Sequence, residues 1–372
     1  MKDMKKYARK GILDLKAYIP GKPVEEVQEE LGLSEIVKLA SNETPLGPSP
    51  KAVAAAEKEL RNIHLYPEGP CTRLRRDMAQ RLVIADDMIL FSNGADNAIV
   101  LIANAFIDEG DEVVMADPSF FIYQTYTKIM GGRPILVELK NHAHDLSAML
   151  KKVGKKTKLV FVCNPNNPTG TIVGKDELDD FVSHLPDHVI LVLDEAYIEF
   201  VSDRDSRDGL DYIKKGHNVI SLRTFSKICG IAGLRIGYAL ACREFIAALN
   251  RVREPFPVSR VAQAAARAAL EDDEYRAKVL KNNEEGKAYL YDEFKNMGLP
   301  SAPSQTNFIF VDLRRDSQEI FQALLKKGII IRPGRQWNCP THARVTIGTM
   351  EQNKKFIKAL KECPPHPGNV VS

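Results

Sequence analysis

Four short runs limit the fold of this chain more than any other feature: "DEVVMADPSF", "KLVFVCNPNN", "VILVLDEAY" and "NVISLRTFSK". Each is β-branched or apolar, shows no polar alternation, and stops abruptly in polar or proline-rich residues. Runs of this kind are strands buried on both faces. With helix-like segments between them they predict an α/β fold built on a mostly parallel sheet. Ligands of such sheets gather beyond the carboxyl ends of the strands. The polar stops are therefore where chemistry is expected, and they supply Phe120, Asn164, Asn167, Asp194, Tyr197 and Lys227.

The flanking segments read differently. Val24, Val27 and Leu31 recur at helical spacing, and the Pro/Gly-rich "SNETPLGPSPKA" is an extended connection ending at a helix start. "KAVAAAEKELRNI" and "DNAIVLIANAFID" are helical. After "VREPFPVSR" an alanine- and charge-rich stretch from 259 to 297 reads as helix, followed by "TNFIFVDL", "SQEIFQALLKKG", "IIIRPG" and "ARVTIGT". That order predicts a large lobe over 51–252 and a smaller α+β lobe from 1–50 together with 253–372.

Several function classes are set aside. A formal charge of +3 is too mild for a nucleic-acid-binding face, though it favours small anionic ligands. The opening "MKDMKKYARKGILDLKAYIP" lacks the apolar core of a secretory signal, and no apolar stretch approaches the roughly 20 residues of a membrane span. Cytoplasmic placement and no membrane or nucleic-acid partner are expected. The six cysteines are scattered without a CxxC pair and read as reduced thiols. His142 and His144 in "NHAHD" read as a solvated loop, because no third ligand has metal-like spacing; no metal is expected. "GTIVGKD" is one residue short of a P-loop, and no GxGxxG turn follows the first strand.

"RTFSKICGIAGLRIGY" places Lys227 behind Thr224 and Ser226, with Arg235 beyond two glycines. Hydroxyls, a guanidinium and close backbone approach suit a lysine beside a bound phosphate. Its bland reading is a surface lysine in a salt bridge. A lysine amine can instead form a Schiff base with an aldehyde cofactor, most familiarly pyridoxal 5′-phosphate. That cofactor needs a carboxylate against its pyridine nitrogen, which Asp194 could supply. Asn167 and Tyr197 could donate to its phenolic oxygen, Phe120 could cover its ring, and Gly94, Ala95 and Asp96 could offer helix-start amides to its phosphate. Singly each is weak: Asp194 could be a helix cap, Phe120 core and Asn167 a turn residue. Five demands met at successive strand ends favour the cofactor.

The motifs "ASNETPLGPSP", "YPEG", "CNPNNPTG", "DEAYIEF", "RTFSKICGIAGLRIGY" and "RVTIGTMEQNKKFI" together resemble the histidinol-phosphate aminotransferases. These are fold-type I pyridoxal-phosphate enzymes of the aspartate aminotransferase superfamily. The resemblance covers nearly the whole chain in the family's order, and implies a large mixed-sheet domain flanked by helices and a smaller α+β domain. It makes Lys227 the lysine that bonds the cofactor and then moves the substrate's proton, Asp194 the pyridinium partner, and Asn167 and Tyr197 the phenolate donors. Phe120 stacks on the ring. The phosphate falls to Ala95, Asp96, Thr224, Ser226 and Arg235, with Tyr66 of "LYPEG" reaching in from a neighbouring subunit, which implies a homodimer with shared active sites. Arg344, Arg332, Tyr18 and Asn42 are placed on the substrate side.

The activity this implies is transamination of L-histidinol phosphate with 2-oxoglutarate. An aromatic amino acid aminotransferase and a threonine-phosphate decarboxylase are the alternatives on the same scaffold. The chain departs from the family pattern at Thr44, where a second asparagine is usual, and in "RPGRQWNCP", which differs from the commoner aromatic-glycine pair before the proline, with Trp337 in the aromatic's place. Both departures bear on specificity rather than on cofactor binding.

Overall fold

The computed structural model describes residues 6–9, 11–15, 24–33, 35–203 and 206–363. After a short N-terminal strand, β1 (Val37–Lys38), come the strands of the large sheet. They are β2 (Ile89–Ser92), β3 (Glu112–Asp117), β4 (Arg133–Glu138), β5 (Thr157–Cys163), β6 (Ile190–Asp194), β7 (Val219–Thr224) and β8 (Gly237–Leu240). Their order across the sheet is β2-β8-β7-β6-β5-β3-β4. β3 to β7 run parallel, and β8 runs against both of its neighbours.

Period-two alternation feeds two separate cores. Val160, Val162, Leu191 and Leu193 point to one, shared with Leu74, Met78 and Phe181. Leu159, Phe161, Val192, Ile220 and Leu222 point to the other, against the helix Gly94–Phe106. Both faces are thus covered, which is why these runs carry no polar alternation.

The remaining strands are β9 (Phe308–Asp312), β10 (Ile329–Ile330), β11 (Arg332–Pro333) and β12 (His342–Thr346). A three-stranded antiparallel sheet, β11-β12-β9, packs with helices Asp273–Asn296, Ser317–Leu325 and Met350–Lys361 around Phe294, Ile309, Val345 and Phe356. β10 pairs in parallel with β1, so the N-terminal segment is stitched to the small lobe. The run "IIIRPG" is therefore divided between two sheets rather than forming one strand.

The helical stretch expected over 259–297 is two helices, Arg260–Leu270 and Asp273–Asn296. They are separated at Asp272, whose side chain caps the second by accepting from Tyr275 N and also accepts from Ser49 Oγ at 2.5 Å. The first helix, C-terminal to the expected boundary at 252/253, shares the large lobe's core through Ala262, Ala265, Ala266 and Ala269. Small side chains let it lie close on helix Pro50–Glu59, which Ser49 caps. The second helix then crosses over: Tyr275 and Val279 sit in the large core, Leu290 and Phe294 in the small one.

Candidate active site

A cavity of about 420 Å³ opens at the carboxyl ends of β5, β6 and β7 and is roofed by the small-lobe arginines and by residues 40–43. Its floor is Asp194, the last residue of β6, only 3% exposed. Burial lifts its carboxyl from 3.8 to about 6, opposed by a hydrogen bond from Tyr123. That bond is short, Tyr123 Oη donating to Oδ2 at 2.5 Å, while Ala196 N donates to Oδ1 at 3.1 Å. Tyr123 lies in the helix Ile122–Ile129 and stacks on Phe161, centroid to centroid 4.4 Å. The sequence reading missed it. Beside Asp194, Glu195 accepts from Ser221, Gly209 and Arg223, a buried network that ties β6 to β7 and to the helix Gly209–Lys214.

One corner is built for an anion. The helix Gly94–Phe106 begins here, and its N-cap residue Asn93 makes no side-chain capping bond, so the first-turn amides of Ala95 and Asp96 face outward. Gly94 has φ 82°, and a Cβ on it would lie 2.5 Å from Arg235 Nη2. A Cβ on Gly237 would lie 2.5 Å from Ala95 N. Two glycines thus let a guanidinium and a strand close on the helix start. Thr224 Oγ1 donates to Ser226 Oγ at 2.9 Å at the end of β7, and the Asp96 carboxylate turns aside to Arg235 at 3.5 Å.

Lys227 lines the cavity just after β7, with Nζ 3.3 Å from Ser41 O and 5.7 Å from the Tyr197 ring centre. Burial, then the Arg344 guanidinium, lowers its ammonium from 10.5 to about 8. Above it Arg344 donates to Asn167 Oδ1 at 2.6 Å and to Ala40 O at 2.7 Å. Because Asn167 accepts there, its amide nitrogen is left for the cavity. Asn42 Nδ2 donates to Tyr197 Oη at 2.8 Å, which leaves the phenol's own hydrogen to donate. Asn42 also accepts from Thr346 Oγ1 at 3.1 Å, so its side chain braces Tyr197 against β12. Phe120 and Arg332 also line the cavity.

These residues suit pyridoxal phosphate: an uncapped helix start beside a guanidinium for the phosphate, a buried acid at the opposite end, and a lysine of lowered pKa between. Tyr66 is not brought to the cavity of its own chain; it is 79% exposed and stacks on Phe256 at 4.6 Å. Tyr18 lies outside the described residues. The "NHAHD" segment differs from a wholly solvated loop. His142 is exposed, but His144 is buried and its ring is pushed down to about 4, which keeps it neutral. Among the described residues no helix is long and apolar enough to cross a membrane, and no group of three or more His, Cys, Asp or Glu side chains could hold a metal ion.

The family described as aminotransferase class I and II matches residues 34–360. The chain belongs to the class I and II aminotransferases. Within that family it is 50% identical over 355 residues to the histidinol-phosphate aminotransferase of Moorella thermoacetica, covering 95% of this chain and 92% of the relative. It is 48% identical to that of Caldicellulosiruptor saccharolyticus, covering 95% and 99%. Among solved structures, the histidinol-phosphate aminotransferase of Sinorhizobium meliloti in complex with pyridoxal-5′-phosphate superposes with a TM-score of 0.86 at 28% identity, covering 93% of this chain and 95% of that one. The family and that complex imply pyridoxal phosphate as this aminotransferase's cofactor, in agreement with the fit of its cavity.

Proposed function

We propose that this aminotransferase moves an amino group from L-histidinol phosphate to 2-oxoglutarate, yielding imidazole-acetol phosphate and L-glutamate. The observation that carries the reading is the register of β11 and β12, where Arg332 and Arg344 are direct cross-strand partners at the cavity mouth. Like charges facing each other across a sheet repel, so the pair suits a site that receives strongly anionic groups. A phosphate ester and a dicarboxylate are both of that kind, and the two relatives described above carry histidinol phosphate in their names.

Bound pyridoxal phosphate supplies the aldehyde that receives the amine and a cationic heterocycle that draws electrons from the bond being broken. Thr224, Ser226, Arg235 and the amides of Ala95 and Asp96 would hold its phosphate, Asn167 and Tyr197 its phenolic oxygen, and Phe120 would cover the ring. Asp194 is the counter-charge at the pyridine nitrogen: a facing cation offsets the burial that otherwise lifts the carboxyl. Lys227 Nζ, with its ammonium near 8, has a neutral fraction at neutral pH that accepts the proton leaving the amine-bearing carbon of the substrate. The arginine pair fixes that carbon by holding the distant anion.

We also propose that two copies share each site, because Tyr66 stands among exposed apolar side chains rather than in its own cavity. The test of the activity is a comparison of kcat/KM for L-histidinol phosphate and L-phenylalanine, each with 2-oxoglutarate. The expected result is a clear preference for the phosphate ester. Equal values point to an aromatic aminotransferase, and release of CO₂ from threonine phosphate points to a decarboxylase.

A further inference from the structure

The loop "RPGRQWNCP" departs from the family pattern, and the structure shows where it goes. It joins β11 to β12 through a 3-10 turn, Gly334–Trp337, and so connects the two cavity arginines. Both arginines touch it. Arg332 Nη2 donates to Gln336 Oε1 at 2.7 Å. The Arg344 guanidinium carbon lies 5.3 Å from the Trp337 ring centre and 5.4 Å from that of Phe308, so it has two aromatic neighbours at similar distance. Trp337 in turn meets Phe310 at 6.2 Å, edge to face, and Phe310 stacks on His342 at 4.8 Å.

The turn is pinned. Arg335 binds Asp316 through Nε at 3.1 Å and Nη2 at 2.5 Å. Ser317 Oγ accepts from Gly334 N at 3.2 Å, and Cys339 N returns to Gly334 O at 3.1 Å. A Cβ on Gly334 would fall 2.4 Å from Cys339 O and 2.5 Å from His342 O, so glycine is what allows the turn to fold this tightly.

We propose that the turn Gly334–Trp337 is a specificity-setting bracket, in which Gln336 positions Arg332 and Trp337 positions Arg344 to grip substrates carrying a phosphate or a second carboxylate. The proposal rests on the functional reading above and deepens it. Neither side chain is a catalytic residue; each acts through an arginine. A planar aromatic face restricts a guanidinium to a few orientations without itself taking up an N–H donor. Asn167 and Ala40 fix two of Arg344's nitrogens, and Trp337 and Phe308 fix the plane.

The experiment uses holoenzyme carrying Trp337→Leu, Trp337→Phe or Gln336→Ala. Trp337→Leu is expected to raise KM for L-glutamate about tenfold with kcat little changed, and Trp337→Phe to recover most of the loss. Gln336→Ala, at an exposed position, is expected to raise KM for L-histidinol phosphate by about threefold to tenfold. Maleate and inorganic phosphate, which do not react, should lose affinity in parallel when titrated calorimetrically. The proposal is overturned if kcat falls while KM and maleate affinity stay put, if Phe is no better than Leu, or if Gln336→Ala leaves both phosphate and L-histidinol phosphate unaffected. Should the wild type fail to use L-histidinol phosphate, the functional reading falls alone, because maleate binding still decides whether the turn holds the arginines.

Discussion

Burial lowers the Lys227 ammonium to about 8 and lifts the Asp194 carboxyl to about 6, so each charge is disfavoured in the cofactor-free protein. A carboxyl raised above its ordinary 3.8 contributes stability that is complete below that value and lost as pH rises through about 6. An ammonium lowered from 10.5 contributes stability that is present above 10.5 and lost as pH falls through about 8. Between those limits both penalties stand in full. Asp194→Asn is therefore expected to raise the thermal midpoint of cofactor-free protein at pH 7 while weakening cofactor retention. The gain should shrink as pH falls from about 6 and vanish below about pH 3, where the carboxyl is protonated folded or unfolded; a pH-independent gain would refute the linkage. For Lys227, acylation by a trace of acetic anhydride, followed by mass spectrometry, should titrate near 8 in the cofactor-free protein, well below surface lysines. Lys227 and Asp194 were legible in the sequence because each ends a buried strand in a polar stop. Tyr123 was not: it sits inside "IYQTYTKI", and nothing local tells that its hydroxyl meets a carboxylate 71 positions away.

The elements that position these groups differ in how far the sequence discloses them. β3, β5, β6 and β7 are read at once, since burial on both faces leaves continuous apolar runs. β4 is an edge strand in which only Val137 is buried and exposure follows no regular alternation, and β2 and β8 have four residues each, so their patterns are weak. The split of "IIIRPG" between sheets is a tertiary choice, made by pairing with β1 on one side and β12 on the other. At the helix start, a Cβ on Gly94 meets the Arg235 guanidinium, and a φ of 82° strains any L side chain. Gly94→Ala is expected to cost about 1 kcal/mol of stability in urea unfolding. It should also weaken inorganic phosphate binding several-fold by displacing Arg235. Unchanged phosphate affinity, measured calorimetrically, would show that the guanidinium is not held by this approach.

For the whole molecule, residues at the ends of the seven-stranded sheet and the arginines of the small antiparallel sheet line the cavity together, and the proposed pairing of two copies rests on exposed apolar side chains elsewhere on the chain. Leu60, Ile63 and Leu65 are exposed in the stretch of chain just before Tyr66, which is itself exposed and stacks on the exposed Phe256. Clustered exposed apolar side chains mark interaction surfaces, and an isologous pairing buries the same surface on both copies. The sequence hinted at this only through the resemblance of "YPEG", because exposure is not written in composition. The structure of one chain leaves Tyr66 with no role in its own cavity. Ile63→Asp places a charge among these exposed apolar side chains and is expected to shift the protein toward monomer in sedimentation velocity, with folded far-ultraviolet dichroism retained. If Tyr66 completes the neighbour's phosphate corner, the monomer should lose bound cofactor on gel filtration, and Tyr66→Phe in the paired protein should lose it more slowly than the monomer does. Because Tyr66→Phe keeps the apolar ring and removes one hydroxyl, the two variants separate loss of the assembly from loss of a single donor. A monomeric Ile63→Asp protein with full cofactor retention and activity would show that each chain's cavity is complete by itself.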